Sequence, residues 1–122
     1  MKKILFIEDE AALQKTFNEI LNNHGYKVVS ALDGKTGLRL AETINPDLIL
    51  LDLVLPKIHG FEVLKKMKQN EKMKNIPIII LTNSENIENI NKSIELGASA
   101  YLIKANYSLN EIIEKVKKTL KE

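Results

Sequence analysis

The chain contains no cysteine, which excludes a disulfide framework, a thiolate metal centre and a cysteine nucleophile together. That absence suits a reducing compartment, so a cytoplasmic protein is expected. Aromatic residues make up only 5% of the sequence, too few for a base-stacking nucleic-acid platform. No apolar stretch approaches the ~18 residues a membrane-spanning helix requires. The opening Met-Lys-Lys-Ile-Leu-Phe-Ile starts like a signal peptide, but Glu8, Asp9 and Glu10 end the apolar run after four residues. A first β-strand with a basic lead-in accounts for it better. Internal repeats, low-complexity tracts and interdomain linkers are also missing. The formal net charge of +2 comes from lysines spread along the chain, which reads as a solvated surface and not a nucleic-acid footprint. Neither nucleic acid nor membrane is therefore an expected partner.

What is present is an ordinary globular balance, 44% hydrophobic and 28% charged in 122 residues. This length suits one domain, residues 1–122, with a single core that needs no staple. Short apolar runs at residues 4–7, 27–31, 48–51, 78–81 and 100–103 read as strands. Longer segments at 11–23, 35–43, 61–69, 86–96 and 109–120 carry helical spacing. In the first, Leu13, Phe17, Ile20 and Leu21 share a face; in the last, Ile112, Ile113, Val116 and Leu120 do. Gly25 and Gly97 close helices, Gly60 opens one, and Ser108 with Glu111 forms a capping-box pattern. Asp33-Gly34 and Asn45-Pro46-Asp47 mark turns.

Five strands alternating with five helices predict an α/β fold, a parallel sheet covered on both faces. The uniformly apolar third and fourth runs suit strands buried on both sides. The mixed second run suits a sheet edge. In such a fold, ligands bind beyond the carboxyl ends of the strands, where strand order reverses. Glu8 and Asp9 follow the first strand, Asp52 the third, Thr82 the fourth and Lys104 the fifth. Clustered carboxylates repel unless a cation sits among them, and an all-oxygen site suits Mg²⁺. A carboxylate also serves as a nucleophile that forms an acyl phosphate. Phosphoryl transfer asks mainly for positioning and charge neutralisation, which Mg²⁺, Lys104 and the Thr82 hydroxyl would supply.

The segments Ile7-Glu8-Asp9-Glu10, Pro46-Asp-Leu-Ile-Leu-Leu-Asp-Leu-Val-Leu-Pro56, His59-Gly60, Ile80-Leu81-Thr82 and Gly97-Ala-Ser-Ala-Tyr-Leu-Ile-Lys104 together resemble a response-regulator receiver domain of two-component signalling. Asp9, Asp52, Thr82 and Lys104 follow one another at intervals of 43, 30 and 22 residues, and the resemblance covers essentially the whole chain. It implies a flavodoxin-like, doubly wound sheet of order 2-1-3-4-5. It implies that Asp52 accepts a phosphoryl group, with Glu8, Asp9 and the backbone carbonyl of Val54 joining Asp52 around Mg²⁺. Thr82 and Lys104 would contact the phosphoryl oxygens. Tyr101 would turn inward with Thr82, coupling the site to the face of the fourth helix, fifth strand and fifth helix. The donor would be a histidine kinase or phosphotransfer protein. Output would pass to a downstream protein through that face, or to a phosphorylation-dependent homodimer. Such a domain is not an enzyme in the usual sense, because it catalyses only its own phosphoryl transfer and dephosphorylation.

Three positions, two of them departures from the family, carry further expectations. Ala105 stands where proline normally follows the lysine across a cis bond. A non-proline cis peptide costs ~2.5–4 kcal/mol, so a trans Lys104–Ala105 bond is expected, with an altered loop through Asn106 and Tyr107. Val54 has no group to orient an attacking water, which predicts a long-lived phosphorylated state. Asn83 replaces a smaller residue and narrows the approach to Asp52. His24 and His59 are expected in exposed loops. Only a lysine-rich stretch follows the last helical stripe, so a stand-alone receiver is expected, with a fragment of a longer regulator as the other possibility. A phosphorylation-independent interaction module on the same fold is the rival function. A flavodoxin-like cofactor protein is set aside, because Glu8-Asp9-Glu10 offers no phosphate-cradling loop.

Overall fold

A computed structural model describes residues 1–121; Glu122, the last residue of the expected domain, lies outside the described residues. Five strands form one parallel sheet: β1 Lys3–Ile7, β2 Lys27–Ala31, β3 Leu48–Leu51, β4 Ile78–Thr82 and β5 Ala100–Ile103. They alternate with α1 Ala11–Asn23, α2 Gly34–Ile44, α3 Gly60–Gln69, α4 Ile87–Glu95 and α5 Leu109–Thr119. The spatial order is β2-β1-β3-β4-β5, so β2 is indeed an edge. The fold is the doubly wound one expected, with element boundaries within a residue or so of those read from the sequence.

Side-chain alternation explains why both faces of the sheet need a helical cover. Leu5 and Ile7, Ile49 and Leu51, and Ile78 and Ile80 point into one core with Val63, Leu64 and Met67 of α3 and Ala41 of α2. Their neighbours Ile4 and Phe6, Leu48 and Leu50, and Ile79 and Leu81 point the other way, onto Phe17 and Leu21 of α1 and Ile112, Ile113 and Val116 of α5. Successive residues of a strand face opposite sides, so a strand covered on both sides must be apolar throughout. β3 obeys this throughout, as do residues 4–7 of β1 and 78–81 of β4. Phe6 and Phe17 meet edge to face with ring centroids 5.3 Å apart, an arrangement favoured by the ring quadrupoles.

Two features differ from the sequence reading. Asp33-Gly34 is not a free turn: the Asp33 carboxylate accepts the Thr36 backbone N–H at 2.7 Å and caps α2. His59 is exposed, but it is no idle loop residue. It caps α3, its Nδ1 accepting the Phe61 N–H at 3.1 Å. Ser108 and Glu111 make the expected reciprocal capping box of α5. Gly25 and Gly97 adopt φ of +89° and +107° after α1 and α4, where a side chain would be strained. There is no cis peptide among the described residues. Lys104–Ala105 is therefore trans, and the chain passes from β5 into a single 3-10 turn, Lys104–Asn106. Among the described residues, no helix is long and apolar enough to cross a membrane.

Candidate functional site

The chain leaves β1, forms β2 on one side, then returns to place β3 on the other. The crevice therefore opens above the carboxyl ends of β1 and β3. Ile7 and Leu51 are register partners, which sets the next residues, Glu8 and Asp52, side by side. Backbone bonds extend the ladder past the strand ends: Asp52 N–H donates to Ile7 O at 3.0 Å, and Glu8 N–H to Ala31 O at 3.0 Å. β4 contributes Thr82 as its last residue, and the residue after β5 is Lys104.

These side chains line one cleft of about 370 Å³, together with Asp9, Glu10, Val54, Asn83 and Ser84. One carboxylate oxygen from each of Glu8, Asp9 and Asp52 lies within 4.8 Å of the other two. Glu8 is 1% exposed and Asp52 6%, whereas Asp9 faces solvent. The Lys104 amine reaches into this group from the far side. It pairs with Glu8 Oε1 and lies 3.3 Å from Asp52 Oδ2. The other Asp52 oxygen accepts the Val54 N–H at 3.3 Å. Thr82 is buried on the same wall. All five side chains singled out after the strands thus converge on one rim, with Val54 at its lip.

Electrostatics at the site follow from burial and crowding. Burial pushes the Glu8 carboxyl up to about 7; the Lys104 hydrogen bond opposes this, and the nearby charge of Asp52 adds to it. Burial also works against a charged Lys104. Its hydrogen bond to Glu8 and the charges of Asp52 and Glu8 outweigh that cost, so its affinity for a proton rises. The cluster carries more negative charge than one amine balances.

Tyr101 lies half-buried on β5, its hydroxyl donating to the Ser84 carbonyl at 2.9 Å. Burial, followed by the negative charge of Asp52, raises its pKa. The tyrosine thus holds the loop that leads from Thr82 into α4. That loop is built locally: Asn86 caps α4 by accepting from Glu88 N–H at 2.8 Å, and the Asn89 amide donates to Ser84 Oγ at 2.9 Å. Thr82 has no capping part in α4. Glu10 occupies the N-cap position of α1 without a side-chain cap bond; instead its N–H donates to Glu8 Oε2 at 3.2 Å.

Sequence reasoning missed two contributors. Gln14 is buried, and its amide donates to the Ala31 carbonyl at 2.7 Å and the Glu8 carbonyl at 2.9 Å. The signal for it was a polar residue three before Phe17 and seven before Leu21, on the buried stripe of α1. Gly60, read only as a helix opener, also has a packing role. A Cβ there would stand 2.5 Å from Leu53 Cα and 2.6 Å from the Asp52 carbonyl oxygen.

Comparison with known proteins agrees with this geometry. Residues 4–117 match the family model of the response regulator receiver domain. The chain is 39% identical over 120 residues to the alkaline phosphatase synthesis transcriptional regulatory protein PhoP of Bacillus subtilis, covering 98% of this chain and 49% of that protein. It is 36% identical over 119 residues to sporulation initiation phosphotransferase F of the same bacterium, covering 98% and 94% respectively. The CheY-like response regulator receiver domain protein of Methanospirillum hungatei superposes with a TM-score of 0.93 at 30% identity, over 99% of this chain and 94% of that one. The chain belongs to the response regulator receiver family of two-component systems. It spans about half the length of PhoP and of several other curated transcriptional regulators it resembles, and nearly all of the phosphotransferase.

Proposed function

We propose that this domain relays a signal by accepting a phosphoryl group on Asp52 from a histidine kinase or a phosphotransfer protein, in the cytoplasm. The carrying observation is the convergence of three carboxylates within 4.8 Å of one another, with the Lys104 amine 3.3 Å from Asp52. An oxygen of the Asp52 carboxylate attacks the phosphorus of a phosphohistidine. The new O–P bond forms as the P–N bond breaks, and the imidazole nitrogen leaves with the bonding pair. Lys104 meets negative charge on the transferred oxygens, and the Thr82 hydroxyl donates to one of them. Both groups stand at strand ends and line the same cleft as Asp52. The domain catalyses only its own phosphorylation and dephosphorylation.

Mg²⁺ fits this donor set. Every candidate ligand is an oxygen: the carboxylates of Asp9, Asp52 and Glu8, and the Val54 carbonyl. Three carboxylates gathered around a single amine leave surplus negative charge, which calls for a cation. When bound, the ion offsets charge on the phosphoryl oxygens and on the carboxylates. Tyr101 and Thr82 form the switch, because both touch or enter the loop before α4. Output leaves through the face of α4, β5 and α5, to another protein or to a second copy. Ile87 and Ile94 support this, lying 70% and 50% exposed at i, i+7 along α4.

A phosphorylation-independent interaction module is the second reading. It draws on the pairing of Lys104 with both Glu8 and Asp52, which gives the cluster an internal cation. One experiment separates them. Intact mass after acetyl phosphate treatment should gain one phosphoryl group with Mg²⁺, none with chelator, and none in Asp52→Ala. Unmodified wild-type protein under all conditions would favour the second reading.

A further inference from the structure

We propose that Gln14 is a positioning residue for the acidic pair, holding the Glu8–Asp9 peptide so that both carboxylates face the metal locus; this rests on the phosphoacceptor reading above. β1 ends at Ile7, so the Glu8 carbonyl stands beyond the regular ladder. A backbone carbonyl in a buried position needs a donor, and here the donor is the Gln14 amide at 2.9 Å. The same nitrogen donates to Ala31 O at 2.7 Å and approaches Phe6 O at 3.4 Å. Ala31 O in turn accepts the Glu8 N–H at 3.0 Å.

The result is a closed circuit. The Glu8 N–H is tied to Ala31, its C=O to Gln14, and Gln14 to Ala31. With both backbone polar groups of Glu8 engaged, the peptide plane between Glu8 and Asp9 has its orientation set. That plane decides where Asp9 departs from the sheet. It matters because Asp9 is the exposed member of the cluster, and among the described residues no side-chain bond holds it. Glu8 has Lys104; Asp9 relies on its backbone. An amide carries only two N–H groups, and Gln14 uses them where β1 and β2 run out, instead of reaching for the cleft. Packing alone would accept methionine here, since Gln14 shares its stripe with Phe17 and Leu21.

The test uses Gln14→Met, which keeps length and removes the donors, with Ile113→Val on α5 as a destabilised control on the sheet's α1/α5 face. Mg²⁺ affinity is read by calorimetry. Outer partners of metal ligands typically contribute 10- to 100-fold in affinity, and Gln14→Met should weaken Mg²⁺ by roughly tenfold. Its acetyl phosphate reaction should slow at subsaturating Mg²⁺ and recover at saturation. Ile113→Val should lower the melting temperature and leave Mg²⁺ affinity unchanged. In wild-type protein, the Gln14 side-chain amide resonances should shift as Mg²⁺ is added. A folded Gln14→Met with wild-type Mg²⁺ affinity overturns the proposal. Should that variant not fold, absence of a Mg²⁺-dependent shift at the wild-type Gln14 amide overturns it instead. Wild-type protein that neither binds Mg²⁺ nor gains a phosphoryl group overturns the parent reading, which is a separate result.

Discussion

At Glu8 two physical demands collide. The side chain is almost fully removed from water, which disfavours its charge, yet it sits against Lys104, which favours it. Burial prevails, and the carboxyl moves from the ordinary 4.5 to about 7. The folded state then binds more protons than the unfolded state between those values, so stability falls as pH rises through that window. The contribution is fully present below pH 4.5 and lost above about 7. A tenfold change in proton affinity corresponds to about 1.4 kcal/mol, so the loss for metal-free protein is on the order of 3 kcal/mol. Urea unfolding in chelator from pH 5 to 8 should show this slope in wild type and a flatter one in Glu8→Gln. At Val54 the question is access. Its side chain is 66% exposed at the lip of the cleft and has nothing to hold water. Val54→Asn should accelerate loss of the phosphoryl group several-fold, measured by the decay of intact-mass signal after donor removal. An unchanged decay rate would sink the link between this residue and lifetime.

Among elements, the connection from β3 to α3 carries the backbone that follows Asp52, the proposed phosphoacceptor. Lys57 adopts φ of +70° within it, and the Ile58 N–H donates back to Pro56 O at 2.9 Å. This tight turn is a strained form for a residue with a side chain. Gly60 ends the connection by donating its N–H to Leu53 O at 2.8 Å, packed against the backbone that follows Asp52. Forced overpacking typically costs 1–3 kcal/mol, and here the opposing atoms are backbone that cannot swing aside. Gly60→Ala is expected to lose about 2 kcal/mol in urea unfolding and to slow phosphorylation of Asp52 as well. Helix starts show how unevenly such detail is written in the sequence. The capping box at Ser108 was legible, because serine followed by glutamate three residues on states both partners. The His59 cap was not, since histidine rarely signals one. Asp33 looked like a turn because the glycine after it obscured the start of α2.

For the whole molecule, the cluster sits on rigid strand ends and its electrostatic strain is carried by the fold. A cation that binds only the folded state should therefore stabilise it by mass action. At a hundred times its dissociation constant the gain is about 2.7 kcal/mol. For a domain of this size that should raise the melting temperature by roughly 10 °C. Scanning calorimetry with MgCl₂, against NaCl of equal ionic strength, checks this; Asp9→Asn should lose most of the gain. A wild-type melting temperature indifferent to Mg²⁺ would argue that Lys104 alone balances the cluster.

The sequence by itself determined the alternation of elements, because periods of two and of 3.6 are imposed by strand and helix geometry and are visible in the order of apolar residues. It also determined which side chains stand just beyond the strands, and thereby the chemistry of the rim. Only the tertiary structure decided how those side chains divide the work: Glu8 sealed from water against Lys104, Asp9 left in solvent, Asp52 between them. The same is true of Gln14, whose amide meets carbonyls 6 and 17 residues away in sequence, and of Gly60, whose neighbours are backbone. Burial and such contacts depend on which segments the chain brings together across the sheet, and local pattern holds no record of that.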